Sequence, residues 1–286
     1  MSSASADAAE GQQPTDEQII EQENAIRASE AEGRPLVGEK EPLQALKAEY
    51  GAGSAVFVKK IESLMDRYSG IRRARGDGNC FYRSFVFGYL ESLLISQNCE
   101  EKERMLKTLV SLKAGMVSHG YEELVIDEPI EILQDILNSV GSEKPLSVAA
   151  LEHKMREQHV SDYIVMFLRL LVSYHVQSEK EFFAPFVMGM SDECLSVDTF
   201  CERMVEPMGV ESDHVHIVAL QRAVQVPIRI VYLDSSVAPT FGGADSESSV
   251  VVHDFTPDEV PPSAPTVHVL YRPGHYDILY SLPKTA

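Results

Sequence analysis

Cys80 lies where a loop of small and polar residues meets an apolar, aromatic run, within RARGDGNCFYRSF at residues 73–85. A cysteine attacks a carbonyl carbon as a thiolate, so a nucleophilic cysteine needs surroundings that favour this charged form and a base nearby. If a helix begins near Cys80, its unpaired N–H groups and partial positive charge supply part of those surroundings. A small core residue would also fit this position, and both interpretations are open at this point.

The loop before Cys80 contains two glycines that could shape an anion-binding turn. Gly76 and Gly78 tolerate φ > 0, which lets the N–H groups of residues 77–80 converge on one point. Converging N–H groups next to a nucleophile can stabilise the oxyanion that forms when a carbonyl is attacked. The predicted oxyanion loop consists of Asp77, Gly78, Asn79 and Cys80.

His275 is the histidine with the most suitable local sequence for a catalytic base. It follows the turn YRPG and opens the last predicted strand, with Asp277 two residues further on. Because residues i and i+2 of a strand point to the same face, Asp277 could accept a hydrogen bond from one ring nitrogen while the other faces a thiol. The pair His214-x-His216 is interpreted as helix surface and packing rather than as a zinc site. The residues alone leave two alternatives: a Cys80–His275–Asp277 triad, or a structural cysteine with a surface histidine.

The other cysteines are poorer candidates, because Cys99, Cys194 and Cys201 lie in helical or acidic segments without a glycine loop. Negative neighbours disfavour a thiolate at these positions. Four cysteines in 286 residues, with no CxxC pair, predict a reduced, intracellular protein without disulfides. No metal and no organic cofactor is expected.

Charge and hydropathy exclude several classes of partner. The formal net charge of −19 argues against nucleic acid or an anionic membrane. The first residues lack the pattern of a secretory signal, and the longest apolar run, residues 163–172, is too short to cross a bilayer and contains Arg169. We expect a cytoplasmic monomer, with nuclear entry left open because no long basic run marks it.

Hydrophobic periodicity predicts helices first and strands last, which is typical of an α+β domain. Helical spacing occurs over residues 55–71, from Phe81 onward, throughout 100–206, and over 211–225 with Asp213 as its cap. Strand-like alternation covers residues 227–234, 248–255, 266–273 and 275–282. We predict a disordered tail at residues 1–14, a helical arm and linker at 15–45, and a catalytic body at 46–286.

The predicted arm carries a narrow apolar stripe on a highly charged helix. Thr15 and Gln18 have capping-box spacing, and Ile19, Ile20 and Ile26 form the stripe. Such a helix could be a solvated arm, or a docking arm that becomes ordered on a partner protein.

Several segments of the sequence resemble the OTU (ovarian tumour) family of cysteine proteases, and within it the otubains. They are YSGIRRARGDGNCFYRSF (68–85), SDYIVMFLRLLVS (161–173), CERMVEPM (201–208), ESDHVHIVALQRAVQVPIRIVYLD (211–234) and YRPGHYDILY (271–280). The resemblance implies a papain-like fold with a small, mostly antiparallel sheet between helical parts. It also implies Cys80 as nucleophile, His275 as base, Asp277 as the residue that orients His275, and Asp77 as a residue that shapes the oxyanion loop, largely through its backbone.

The resemblance further implies hydrolysis of the isopeptide bond in lysine-linked polyubiquitin, with chains joined through lysine 48 of ubiquitin favoured. The expected partners are ubiquitin, polyubiquitin and ubiquitin-conjugating enzymes. Ile19, Ile20 and Ile26 of the arm are expected to contact the proximal ubiquitin, Tyr276 is expected to contact ubiquitin beside His275, and the face after residue 234 is expected to hold the distal ubiquitin. The loops at 188–198 and 235–265 look long for an otubain, so the linkage preference is left open. The alternatives are a non-catalytic regulator that binds ubiquitin and conjugating enzymes, and, less well supported, a general papain-type protease.

Overall fold

The computed structural model describes residues 33–51, 55–190, 195–234 and 250–282, which form a sheet with helices on both of its faces. The strands are β1 (Val37–Glu41), β2 (Tyr68–Ala74), β3 (Ile228–Tyr232), β4 (Val251–Phe255), β5 (Val267–Arg272) and β6 (His275–Ser281). The helices are α1 (Leu43–Tyr50), α2 (Ala55–Met65), α3 (Cys80–Ser96), α4 (Cys99–His119), α5 (Glu123–Ser139), α6 (Val148–Arg156), α7 (Gln158–Ser178), α8 (Lys180–Met188), α9 (Val197–Phe200) and α10 (His214–Val224), with a π-helical turn at Cys201–Val205.

The strands are ordered β1-β2-β6-β5-β3-β4, and every neighbouring pair is antiparallel except the parallel pair of β3 and β5. In the β5–β6 hairpin Arg272 pairs with His275, so Pro273 and Gly274 make a two-residue turn. Gly274 has φ +72°, which glycine adopts without strain. The hairpin therefore places His275 at the first position of a central strand.

The sheet separates two hydrophobic clusters. The larger cluster joins α3, α4, α5 and α7 to one face of the sheet, including Ile278 of β6. The smaller one joins Leu46 of α1 and Ile61 of α2 to the opposite face, including Leu279 of β6. The neighbours Ile278 and Leu279 face opposite clusters, as strand geometry requires. The predicted α+β class, a small and mostly antiparallel sheet between helical parts, is confirmed.

Two sequence predictions near the start of the body are wrong. The segment from Arg34 to Leu46, interpreted as a linker, contains β1 and the first turn of α1, and Val37 is fully buried. The helix predicted over residues 55–71 ends at Met65, and β2 begins at Tyr68. β2 is covered on both faces, so its buried residues do not alternate and it lacks the period that reveals a half-buried strand.

The predicted cap of α10 is confirmed. Asp213 caps α10 through bonds to the N–H groups of Val215 and His216, and Gly120 ends α4 in the left-handed conformation. Part of the 235–265 connection forms β4, at the edge of the sheet. The predicted arm, with Ile19, Ile20 and Ile26, lies outside the described residues. None of the helices in the described ranges is long and apolar enough to span a membrane.

Candidate active site

Cys80 is the first residue of α3 and is 3% exposed. The helix is buried along most of its length, with Phe81, Phe85 and Leu93 in the larger cluster, because apolar residues recur every four positions. α3 packs against β6 and β5, which brings its N-terminus to the turn of the hairpin. This packing places a thiol at a helix N-terminus beside His275.

The imidazole of His275 lies between the carboxylate of Asp277 and the thiol of Cys80. Its Nε2 is 2.8 Å from Oδ1 of Asp277, and the ring also interacts with the side chain of Cys80. Since Nε2 faces the carboxylate, Nδ1 is the nitrogen left for the thiol. A Cβ added at Gly76 would lie 3.4 Å from Nδ1, so glycine leaves room for the ring. The structure thus brings together the three residues that the sequence identified, in the order nucleophile, base, orienting carboxylate.

The charges around His275 keep its ring protonated. Burial lowers its pKa, but the hydrogen bonds and charges of Asp277 and Cys80 outweigh this effect and raise the pKa to about 10. At neutral pH the ring is therefore an imidazolium. An imidazolium next to Cys80 favours a thiolate, the form that attacks a carbonyl.

The first testable consequence is that the pKa of His275 is raised. In the wild-type protein the ring should lose its proton only near pH 10, whereas the unfolded value is about 6.5. The stabilisation from this charge is therefore complete below about pH 6.5 and is lost as the pH rises through the folded pKa. NMR titration of the ring protons measures it directly. Cys80→Ala should lower the pKa, since the Cys80 bond and charge are among its causes; a wild-type pKa near 6.5 would contradict the arrangement.

Asp277 is fully buried and does more than orient His275. Its Oδ1 also accepts the N–H of Ala74 at 3.0 Å, and its Oδ2 accepts Nη2 of Arg272 at 2.6 Å. Burial raises the pKa of this carboxyl, but His275, Arg272 and Arg73 outweigh it and hold the pKa below its usual range. The carboxylate therefore stays charged and is fixed in position. Arg272, in the motif YRPG, was missed by the sequence analysis because its role depends on strand pairing.

Asp77 shapes the oxyanion loop through its side chain as well as its backbone, which differs from the sequence prediction. Its Oδ1 accepts the N–H of Asn79 at 3.0 Å and Nη1 of the fully buried Arg83 at 2.8 Å. The N–H of Asn79 is thereby engaged. The backbone N–H groups of Gly78 and Cys80 have no hydrogen-bond partner in the part of the chain that the structure describes. These two N–H groups are the donors we assign to the oxyanion hole.

Gly78 is the tightest point of the loop. It has φ +77°, and a Cβ there would overlap the carbonyl oxygen of Gly209. The loop backbone therefore rests directly on the backbone of the segment that precedes α10. Only glycine permits this approach and this φ together.

Gly78→Ala should accordingly reduce kcat by roughly 10²-fold or more, because the loop must move away from Gly209 and carry its donors with it. The matched control is Gly33→Ala. Gly33 has φ +75° but nothing within 4 Å of an added Cβ, so it introduces the same backbone strain without the overlap. Steady-state kinetics and thermal unfolding of both variants provide the measurement. Equal kcat values for the two variants would contradict the role given to the contact.

The remaining candidate residues are Tyr276, which was expected to contact ubiquitin, and the cysteines other than Cys80. Tyr276 is 6% exposed and its hydroxyl donates to the carbonyl of Ser212 at 3.3 Å, so a contact with ubiquitin would need this side chain to emerge and stays a prediction. Cys99 is exposed, away from His275, while burial raises the pKa of Cys201 to about 12. Cys194 lies outside the described residues.

His214 and His216 lie at the start of α10. His216 is fully buried in the capping box with Asp213, and His214 packs on Phe255. Among the described residues, no group of three or more His, Cys, Asp or Glu side chains could hold a metal ion.

Two clefts meet at His275. One, of about 640 Å³, extends toward β1 and is lined by Glu41, Glu49, Arg73 and Arg272. The other, of about 360 Å³, runs past Gly76, Gly78 and Gly274 toward Glu211. A chain that enters along one cleft and leaves along the other would pass His275, which lies in contact with Cys80. This arrangement suits acyl transfer from a peptide-like substrate.

Comparison with known proteins identifies the family to which this chain is similar. The profile of the peptidase C65 otubain family matches residues 29–281. The OVARIAN TUMOR DOMAIN-containing deubiquitinating enzyme 1 of Arabidopsis thaliana is 43% identical over 275 residues, which cover 93% of this chain and 87% of that protein. The human ubiquitin thioesterase OTUB1 is 40% identical over 265 residues, covering 93% of this chain and 90% of OTUB1.

Solved structures show the same relationship. A complex of h/ceOTUB1 with ubiquitin aldehyde and UBCH5B~Ub superimposes with a TM-score of 0.78 at 30% identity, covering 94% of this chain and 98% of the other. A second complex, of h/ceOTUB1 with ubiquitin aldehyde and UBC13~Ub, gives 0.77 at 31% identity, covering 94% and 99%.

Proposed function

The chain belongs to the peptidase C65 otubain family, and from this membership we propose that it is a cysteine-type deubiquitinating enzyme. It hydrolyses the isopeptide bond between the C-terminal glycine of ubiquitin and a lysine side chain. The observation that carries the proposal is the aligned set of Cys80, His275 and Asp277, with two free N–H groups in the adjacent loop. An arrangement with these parts performs acyl transfer through a thioester.

The chemistry proceeds in two steps. The Cys80 thiolate attacks the glycine carbonyl carbon, and the N–H groups of Gly78 and Cys80 hold the oxygen that becomes negative. The C–N bond then breaks as the His275 imidazolium gives its proton to the leaving lysine amine, which leaves ubiquitin bound as a thioester. Neutral His275 next takes a proton from water, whose oxygen attacks the thioester. Release of the ubiquitin carboxylate restores the thiolate and the imidazolium.

An apolar groove offers a surface for the ubiquitin that supplies the glycine. The groove, of about 420 Å³, is lined by Phe182, Phe186, Met190, His214 and Val218. Phe186 is 55% exposed and Met190 is 44% exposed, unusually high values for side chains that gather in one place. His214 is the first residue of α10, and the carbonyl of Ser212, two residues before it, is bound by Tyr276 beside the base. The groove therefore lies next to the segment that borders the active site.

The decisive experiment uses ubiquitin with an electrophilic C-terminus. We expect one covalent adduct, located at Cys80 by peptide mass spectrometry. Cys99 is the internal control, since it is exposed but is not bonded to a histidine base. Adducts at Cys99 with none at Cys80 would overturn the assignment.

A second activity is favoured by the solved complexes, in which OTUB1 is held together with ubiquitin-charged UBCH5B or UBC13. We infer that this chain also binds a ubiquitin-conjugating enzyme, with residues 1–32 as part of the contact. Deleting residues 1–32 and measuring cleavage and binding of a charged conjugating enzyme separately tests this. Loss of binding with retained cleavage of a ubiquitin amide is the expected result, and unchanged binding would contradict it.

A further inference from the structure

Arg169 is one of the fully buried charged side chains near the active site. It lies on α7, within the apolar run of residues 163–172, and its side chain is fully buried. A buried guanidinium is usually paired with a carboxylate. Here its five hydrogen bonds go to four neutral oxygens: Oδ1 of Asn79, which accepts two of them, and the carbonyls of Gly78, Val205 and Val210. Stability alone gives little reason to keep a charge in such a place.

Arg169 and Asp77 together hold one peptide plane of the oxyanion loop at both ends. The carbonyl oxygen of Gly78 accepts Nη2 of Arg169 at 3.0 Å, while the N–H of the same peptide unit, on Asn79, is bound by Asp77 at 3.0 Å. Peptide units next to glycine rotate easily, because glycine populates both signs of φ. Rotation of this plane would turn the Gly78 carbonyl toward the point where an oxyanion forms and would repel it.

The same arginine connects the loop to the segment on which it rests. Oδ1 of Asn79 accepts Nε and Nη2 of Arg169 at 3.1 and 2.8 Å, and it also accepts the N–H of Gly209 at 3.0 Å. Arg169 binds the carbonyls of Val205 and Val210 on either side of Gly209. The oxyanion loop and the segment around Gly209 therefore bind the same buried guanidinium, which fixes the distance between them.

We propose that Arg169 is a positioning residue for catalysis: it fixes the Gly78–Asn79 peptide so that the loop presents donors, and not a carbonyl, to the oxyanion. The inference rests on the proposed function, since it concerns the transition state of the same reaction. Electrostatics agree with this placement: burial lowers the pKa of Arg169, and the neighbouring Tyr82 and Cys80 act against that effect.

The test distinguishes a loss of oxyanion stabilisation from a loss of thiolate reactivity. Arg169→Gln should lower kcat for a fluorogenic ubiquitin amide by about 10²-fold, since the loop donors lose their fixed orientation, with KM within about threefold. Alkylation of Cys80 by iodoacetamide, which forms no oxyanion, should stay within about threefold of wild type. Rates are expressed per active site titrated with the ubiquitin electrophile. Loss of folding would change the number of active sites but not these ratios.

Two further variants make the result independent of folding defects. Asn79→Ala removes the acceptor but keeps the arginine, and should lower kcat by about 10-fold or more with the same unchanged alkylation. Arg72→Gln is the matched control: Arg72 is 3% exposed and bound to Glu91 and Glu152, away from the loop, so kcat per active site should be unchanged.

The outcomes are distinct. Wild-type kcat per active site in both Arg169→Gln and Asn79→Ala would overturn the inference, as would equal losses of hydrolysis and alkylation. A wild-type protein that cleaves no ubiquitin substrate would instead overturn the proposed function and the inference together.

Discussion

Cys80→Ala is expected to reduce the hydrolysis of lysine-linked di-ubiquitin by roughly 10⁵-fold or more, to the background rate. The methyl group of alanine cannot form the thioester, and direct attack by water lacks a positioned nucleophile. The fold should survive, because the change removes a single sulfur atom from a side chain that packs at the end of a well-buried helix. Gel-based cleavage assays and thermal unfolding, run on the same preparation, measure the two effects.

Cys99→Ala is the control for this variant. Cys99 begins α4, is exposed and is not joined to a histidine base, so its loss should leave turnover unchanged. Residual cleavage by Cys80→Ala above a few per cent of wild type, with normal Cys99→Ala activity, would mean that another group performs the attack.

His275→Ala should lose activity nearly as completely as Cys80→Ala, since it removes both the cation that favours the thiolate and the proton donor for the leaving amine. Asp277→Asn should lose less, roughly 10²–10⁴-fold, because the ring is still held but the charge that keeps it protonated is gone. Comparing kcat/KM for the two variants across pH gives the measurement. Equal losses would show that Asp277 is as directly involved as the base.

Asp277→Ala should differ from Asp277→Asn in stability. Alanine leaves the N–H of Ala74 and the guanidinium of Arg272 without the acceptor they share, whereas asparagine keeps an oxygen in place. Both variants lose the charge that pairs with Arg272, but only alanine also removes the last acceptor oxygen, and a buried donor left unpaired typically costs about 1–3 kcal/mol of unfolding free energy. Denaturant unfolding of both variants separates this structural role from the catalytic one.

The sequence points to the reacting groups as candidates because their signals are local, and the family resemblance decides between the two alternatives that the residues alone leave open. A glycine loop before an apolar helix indicates Cys80, and a turn followed by HxD in a strand indicates His275 and Asp277. The supporting arginines are different, since Arg169 reaches Asn79 and Arg272 reaches Asp277 only after helix and sheet have packed. An arginine inside the apolar run of residues 163–172 is the one local signal for Arg169, because a charge in such a run needs polar partners when it is buried.

The missed strands have a related cause. β2 is covered on both faces and carries the buried Arg72, so it shows neither alternation nor a continuous apolar run. β1 is short and lies at the sheet edge between two prolines, a composition that also suits a linker. Both are recognised from their pairing partners, which are distant in the chain.

The pairing of β2 with β6 has a consequence for how activity appears during folding. Ile71 lies opposite Leu279, so this contact closes a loop of about 208 residues and joins the early and late parts of the chain. Contacts of such long sequence separation form late and slowly, because the entropy of closing the loop opposes them. Cys80 follows β2 and His275 begins β6, so nucleophile and base meet only when this closure is complete. Recovery of turnover after dilution from denaturant should therefore lag behind the return of helical circular dichroism.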